Sequence, residues 1–299
     1  MGGIEGEKGV CGAGVRKYLF EHTLFVTILH IACLSSKTQI LMPELPEVNT
    51  FQRYFDASAL QQRIQRVDVH DDKIIRNMDG AQFAERLQGR IFTGSYRRGK
   101  YLFGALDNGH YVLLHFGMTG DIKYYEDPLD RPKYERFAFV FDNGFQLGFD
   151  DPRKFARILY LEDLQAYINS LPLGEDALRI SEADFLDLIN AKKGQLKAFL
   201  LNQQYLAGVG NLYADELCYQ TRIHPAARIE DLSQEEKKLL FHTLQKILNY
   251  AVERRAYYKD YPEDWLWQWR VEGFVPADGK GVVKKGTIAG RTTYFLSEK

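Results

Sequence analysis

Several short clusters in this chain combine residue types that do chemistry. Met42-Pro43-Glu44-Leu45-Pro46-Glu47-Val48 places two carboxylates beside prolines, although Pro46 and Glu47 also suit the first turn of an ordinary helix. Asp150-Asp151-Pro152-Arg153-Lys154-Phe155 opens on an acidic pair. Asp-Pro turn formation is the simpler reading of that pair than shared acid–base work. Upstream of it lies His115-Phe116-Gly117-Met118-Thr119-Gly120, and further upstream the basic run Arg97-Arg98-Gly99-Lys100, which locally reads as a solvated edge-strand charge run. Gly208-Val209-Gly210-Asn211-Leu212-Tyr213-Ala214-Asp215-Glu216 is a glycine turn without the Gly-Lys-Ser/Thr of nucleotide hydrolases. There Asn211 suits a helix N-cap, with Lys192, Lys193 and Lys197 adding positive charge just before it.

Metal and disulfide chemistry find little support. Cys11, Cys33 and Cys218 are too far apart for a CxxC pair, and the seven histidines are scattered. The chain reads as a protein of a reducing compartment.

The elements that must position these clusters follow from composition and period. The chain has 299 residues, 45% hydrophobic and 26% charged, which excludes disordered, collagen-like and small disulfide-stapled classes and allows one large or two ordinary domains. Lys plus Arg number 39 and Asp plus Glu 40, so nucleic-acid binding is not announced by bulk charge, and any basic face must be local. Residues 1–41 differ from the rest: a glycine-rich start leads into an apolar run, Leu24-Phe25-Val26-Thr27-Ile28-Leu29, that looks like a signal-peptide core interrupted by Glu21, His22 and His30. We read them as an extension outside the mature fold, with the true start at Met42.

From Met42 a short helix is expected over 46–56 and another over 81–87. Strands are expected over 63–70, 90–98, 101–106, 111–116, 136–141, 145–149 and 156–161. Asp107-Asn108-Gly109 and Asp142-Asn143-Gly144 mark hairpins. Past a linker near 165–175 the period becomes helical over 181–189, 196–201, 211–220 and 233–254. The last of these starts with the Ser233/Glu236 capping box. The tail from Trp265 returns to alternation and glycine turns, predicting a small β-hairpin, with Trp265, Trp267 and Trp269 on one strand face as core residues.

The order and spacing of the three clusters resemble the formamidopyrimidine-DNA glycosylase / endonuclease VIII family of base-excision repair enzymes, over about residues 42–299. Pro-Glu-Leu-Pro-Glu-Val looks more like the formamidopyrimidine branch. The resemblance implies an α+β fold: an N-terminal catalytic β-sandwich (42–165), a helix-two-turns-helix DNA-binding domain (175–256) and a C-terminal β-hairpin finger (265–299). It implies a bifunctional glycosylase and abasic-site lyase acting on damaged double-stranded DNA. In such an enzyme Pro43, as the chain's N-terminal secondary amine, attacks C1′ and forms a Schiff base. Glu44 would be the general acid/base beside it, Glu47 a nearby structural carboxylate, and Glu216 a carboxylate supporting the proline. Lys100 would contact phosphate next to the lesion and favour the neutral amine. His115 and Asn211 would bind phosphates. Met118, Arg153 and Phe155 would fill the gap left by the extruded nucleotide.

Two departures from the family pattern stand out. The positions matching its four zinc-binding cysteines read Ala277, Lys280, Leu296 and Lys299, so no cofactor is expected and the finger should be zincless. Lys280, Lys284, Lys285 and Arg291 make that tail basic, and the resemblance makes Arg291 its phosphate contact. The segment 253–269 lacks the threonine- and arginine-containing loop that closes over 8-oxoguanine in the formamidopyrimidine branch. Removal of 8-oxoguanine and formamidopyrimidines with β,δ-elimination is the first expectation. The alternatives are an endonuclease VIII-like preference for oxidised pyrimidines or hydantoins, or a non-catalytic lesion binder if residues 1–42 are retained. A free proline amine titrates near ~8, whereas the same nitrogen in a peptide bond has a delocalised lone pair and cannot attack. The protein is further expected to be a monomer, cytoplasmic and nucleoid-associated, with no membrane association.

Overall fold

The computed structural model describes residues 42–297, so the expected extension over 1–41 and Lys299 lie outside the described residues. In chain order the helices are α1 (Leu45–Ala59), α2 (Gly80–Leu87), α3 (Leu164–Ser170), α4 (Glu182–Asn190), α5 (Leu196–Leu201), α6 (Asn211–Thr221) and α7 (Gln234–Glu253). The first eight strands are β1 (Ile64–Val69), β2 (Phe92–Arg98), β3 (Tyr101–Leu106), β4 (Tyr111–His115), β5 (Asp121–Tyr125), β6 (Glu135–Phe141), β7 (Gln146–Asp150) and β8 (Arg157–Leu161). Four more follow: β9 (Glu175–Asp176), β10 (Leu206–Ala207), β11 (Val282–Ile288) and β12 (Arg291–Ser297).

Strand alternation puts one face of each early strand inward, and the result is two four-stranded antiparallel sheets, ordered β1-β6-β7-β5 and β2-β3-β4-β8. Both Asp-Asn-Gly turns are hairpins as expected: in each the asparagine side chain accepts an N–H two residues on, from His110 at 3.2 Å and from Phe145 at 3.0 Å. One core joins the sheets to α1, through Phe55 and Phe92 on one side and Phe137, Phe139 and Phe149 on the other. Each such buried ring contributes about 2–3 kcal/mol.

The helical half has its own core, in which α4, α5, α6 and α7 pack together and into which Leu45, at the start of α1, is inserted. The Leu45 N–H reaches the Gly208 carbonyl at 3.1 Å. A buried bidentate pair, Arg97 with Asp176 at 2.7 and 3.1 Å, also ties the β2–β3 turn to β9. The start of α1 and the β2–β3 turn are thus positioned by both halves at once.

Three expectations need correction. Strand β5 was not foreseen. Helix α3, capped by Asp163, occupies the first half of the expected linker. The tryptophans do not share a strand: Leu266–Trp269 is a 3-10 turn, and strand structure resumes only at Val282. Trp265 is core, as expected, but Trp269 is 40% exposed and stacks on Phe274. Among the described residues no helix is long and apolar enough to cross a membrane.

Candidate active site

The first cluster forms the N-terminus of α1. Glu44 is its N-cap, Glu47 its N3 residue, and the two close a reciprocal capping box in which the Glu44 N–H donates to Glu47 Oε2 at 2.9 Å. Glu44 also caps a second helix. Its carboxylate accepts the N–H groups of Gly210 (2.7 Å), Leu212 (2.7 Å) and Tyr213 (3.3 Å), buried amides at the start of α6 that have no partner within the helix. The N-cap of α6 by backbone is therefore Gly210, and its capping side chain comes from the other domain, which corrects the expectation that Asn211 is the cap. A Cβ on Gly210 would lie 2.3 Å from Glu44 Cδ, so the approach requires glycine.

Burial pushes the Glu44 carboxyl up to about 7; Lys100 opposes this, Glu47 adds to it, and the amides of Leu212 and Tyr213 oppose it. Lys100 occupies the β2–β3 turn. Burial holds its ammonium below the ordinary lysine value, against the pull of Glu44 and Glu47 and with a push from Arg291. Among the described residues it makes no hydrogen bond or ion pair, which leaves its donors available. Pro43 is buried directly before Glu44. A carboxyl poised near neutrality next to a proline, with an unpaired lysine ammonium acting on it, is the kind of group that can carry a proton at working pH.

Asn211 is the first residue of α6. Its amide donates to the Thr292 carbonyl at 2.9 Å, and its Oδ1 is buried without a partner. This bond places Asn211 beside Arg291, which is exposed at the start of β12. The buried Glu216 carboxylate accepts from Gln220 Nε2 (2.8 Å) and from the N–H groups of Leu266 (3.3 Å) and Trp267 (3.1 Å). Three tyrosines escaped sequence reasoning: Tyr213 and Tyr258 each donate to Glu47 Oε1 at 2.8 Å, and Tyr261 meets the Tyr213 hydroxyl at 2.7 Å.

On the sandwich, Met118 and the pair Arg153 and Phe155 project from two adjoining loops. Asp151, fully buried, organises both: it accepts from Thr119 Oγ1 (2.6 Å), Arg153 N (3.3 Å) and Ala156 N (2.9 Å). This role agrees with a turn-forming rather than a catalytic aspartate. Gly117, at φ +62°, lets its loop press on the Phe155 backbone, where a Cβ would come within 2.5 Å. Phe155 remains 48% exposed, with the Arg153 guanidinium 4.7 Å over its ring. His115 ends β4 beside Tyr101, its Nδ1 accepting the Gly117 N–H at 3.3 Å. Burial, then Arg157 and Lys100, push its imidazole down to about 4, so it is neutral at physiological pH, with the proton on Nε2.

The hairpin β11–β12 cannot hold zinc at the positions matching the family's ligands. Ala277, Lys280 and Leu296 offer no thiolate or imidazole, and Leu296 packs against the apolar cluster of Tyr219, Leu266 and Val283. Among the described residues no group of three or more His, Cys, Asp or Glu is arranged to hold a metal. The hairpin is joined to the helical domain by charge. Buried Lys197 donates to Asp215 (2.5 Å) and Thr293 (2.6 Å), while Asp215 also receives the Tyr294 N–H (3.1 Å) and Arg270 (3.0 Å).

Comparison with known proteins gives the same assignment for both halves. The family model described as the formamidopyrimidine-DNA glycosylase N-terminal domain matches residues 42–158, and that of the H2TH domain matches residues 173–260. A formamidopyrimidine-DNA glycosylase of Arabidopsis thaliana is 33% identical over 275 residues, covering 86% of this chain and 70% of its own. One from Heliobacterium modesticaldum is 30% identical, covering 85% and 98%. In three dimensions the chain is similar to the Lactococcus lactis enzyme bound to DNA containing an N7-benzyl-formamidopyrimidine, with a TM-score of 0.76 at 24% identity, covering 85% and 98%. The same enzyme bound to DNA containing an abasic site also gives 0.76. These likenesses bear out the α+β architecture of sandwich, helix-two-turns-helix domain and hairpin.

Proposed function

The chain belongs to the formamidopyrimidine-DNA glycosylase family, a DNA glycosylase of base-excision repair, and we propose that it works through Pro43 as nucleophile and Glu44 as proton carrier. The observation that carries this reading is Glu44 itself: a carboxyl pushed up to about 7, next to Pro43 in the chain, fixed by three amides where the glycine turn opens α6. A group titrating there can give a proton and take one back at working pH. The Pro43 nitrogen bonds C1′ and the C1′–base bond breaks with its electron pair leaving on the base, which is protonated. The nitrogen loses its proton and the C1′–O4′ bond opens, O4′ taking up a proton, which gives the iminium; loss of a C2′ proton then expels the 3′ phosphate, and loss of a C4′ proton the 5′ phosphate.

Lys100, Asn211 and Arg291 are read as the phosphate contacts around this centre, and His115 as a neutral Nε2–H donor to phosphate. Met118, Arg153 and Phe155 are read as the wedge that replaces the extruded nucleotide. Oxidised purines, 8-oxoguanine and formamidopyrimidines, are the proposed substrates. Glu47 supports Glu44 directly, while Glu216 acts at one remove. The finger is proposed to work without metal, supported by the absence of ligand atoms at the matching positions and by the Lys197–Asp215 link. Because its substrate is duplex DNA, the protein is proposed to act at the nucleoid in the cytoplasm, as a monomer.

The test is borohydride trapping on abasic and 8-oxoguanine duplexes with protein whose chain starts at Pro43. A covalent adduct mapping to Pro43 is expected. Protein that keeps residues ahead of Pro43 should bind the same duplexes and form none, since its proline nitrogen is an amide. Absence of an adduct from the Pro43-initiated chain would leave a lesion binder.

A further inference from the structure

The segment between α7 and the hairpin reaches the proposed catalytic carboxylates through a chain of contacts. Glu216 holds the N–H groups of Leu266 and Trp267, which sets the 3-10 turn. Trp267, fixed in this way, lies against the Tyr258 ring with centroids 4.0 Å apart. Gln268 adds bonds to the carbonyls of Tyr258 (3.4 Å) and Tyr261 (3.3 Å). The Tyr258 hydroxyl then donates to Glu47 Oε1 at 2.8 Å, and Glu47 Oε2 receives the Glu44 N–H at 2.9 Å.

We propose that Tyr258, held by Trp267 and through it by Glu216, is a positioning residue whose hydrogen bond draws Glu47 towards its charged form and thereby sets the pH range in which Glu44 carries its proton. The inference rests on the reading of Glu44 as proton carrier. A phenol hydroxyl donating to a carboxylate favours the charged form. Tyr258 and Tyr213 both do this at Glu47, opposing the burial that still leaves its carboxyl above the ordinary value. A charged Glu47 in turn opposes ionisation of Glu44, on the same side as burial and against Lys100. The titratable and charged groups facing the pair are Lys100 from the β2–β3 turn, Tyr213 from α6, and Tyr258 and Tyr261 from the segment after α7. Arg291 of the hairpin acts on Lys100, and Glu216 acts on Tyr261. The segment between α7 and the hairpin is therefore a fixed wall of the site, with Tyr258 as its contact.

The experiment is the pH dependence of single-turnover base excision for the parent, Y258F, E216Q and the double variant, all starting at Pro43. In Y258F, Glu47 protonates more readily and its charge is lost from beside Glu44, so the limb belonging to Glu44 moves to lower pH. The alkaline-side rate falls about tenfold for each unit of displacement, with KM unchanged. E216Q should move the limb the same way by less, and the double variant should match Y258F, because both act through one contact. Phenylalanine keeps the stack with Trp267, so melting should change little. A fluorinated tyrosine at position 258, a stronger donor of the same shape, should move the limb to higher pH. An unmoved limb in Y258F, or in the fluorinated protein should Y258F fail to fold, overturns the proposal. So does full additivity of Y258F and E216Q. Glu44→Gln at the parent rate would instead defeat the reading of Glu44, whatever Tyr258 does.

Discussion

The Glu44 carboxylate accepts the Leu212 N–H at 2.7 Å across 168 positions of chain, so the acidic N-cap of α1 is also the capping group of α6. One side chain thus joins the proposed chemistry to the turn proposed to grip phosphate. The position of Glu44 therefore depends on α6 as well as on its own helix.

Gly210→Ala should show this dependence. The new Cβ would overlap Glu44 Cδ, 2.3 Å away, and force the carboxylate out of its cradle. Excision should fall about a hundredfold, the cost of misplacing a catalytic group by an ångström. Binding to abasic duplex, measured by filter retention, should persist. E44Q, which keeps the shape and loses the titration, should lose about 10²–10⁴ in rate together with the limb near neutrality.

His115 gives a pH signature of its own. Its imidazole is held down to about 4 in the fold, against 6.5 as the ordinary value. Between those values the unfolded chain binds more protons than the folded one, so stability from this group is complete above the ordinary value and is lost as pH falls towards 4. A ring-proton NMR titration should find the low midpoint. Melting curves of H115Q should decline less than the parent's over the same acid window.

What could be read from the sequence divides by range. The Asp107–Gly109 and Asp142–Gly144 hairpins, and the Ser233/Glu236 capping box of α7, are local turn and cap chemistry and were legible residue by residue. Strand β5 and helix α3 were not, being five and seven residues long with mixed polarity. The misplaced features share one cause, a partner far along the chain. Asn211 looked like a cap because the true capping carboxylate is Glu44. The tryptophans looked like a strand because the bond that makes Leu266–Trp269 a turn comes from Glu216. Tyr258 carried no local signal at all, since its acceptor is 211 residues away.

The link between Lys197 and Asp215 should carry the stability that zinc gives other fingers. K197M leaves Asp215 buried with Arg270 as its remaining cation, and removes a donor from Thr293. A loss of about 3 kcal/mol is expected, as for other buried pairs broken from one side. Limited proteolysis should cut the hairpin of K197M well before the sandwich. Chelator should leave the parent's proteolysis pattern and its trapping unchanged, and sensitivity to chelator would show a metal at a position other than the family's.

Asp151 separates wedge formation from chemistry. Its carboxylate joins Thr119, beside Met118, to the backbone of Arg153 and Ala156, so D151A releases both wedge loops without touching Glu44 or Lys100. Holding a nucleotide out of a duplex costs a few kcal/mol, and the wedge has to offset that cost only where there is a stack to replace. D151A should therefore lower excision from duplex DNA by tenfold or more, using roughly 1.4 kcal/mol per decade, while excision from the same lesion in a single strand changes little. Phe155→Ala should do the same to a smaller degree, since Met118 and Arg153 remain. The quantity to measure is the ratio of duplex to single-strand rates. A ratio that D151A leaves unchanged would mean that Met118, Arg153 and Phe155 do not fill the gap.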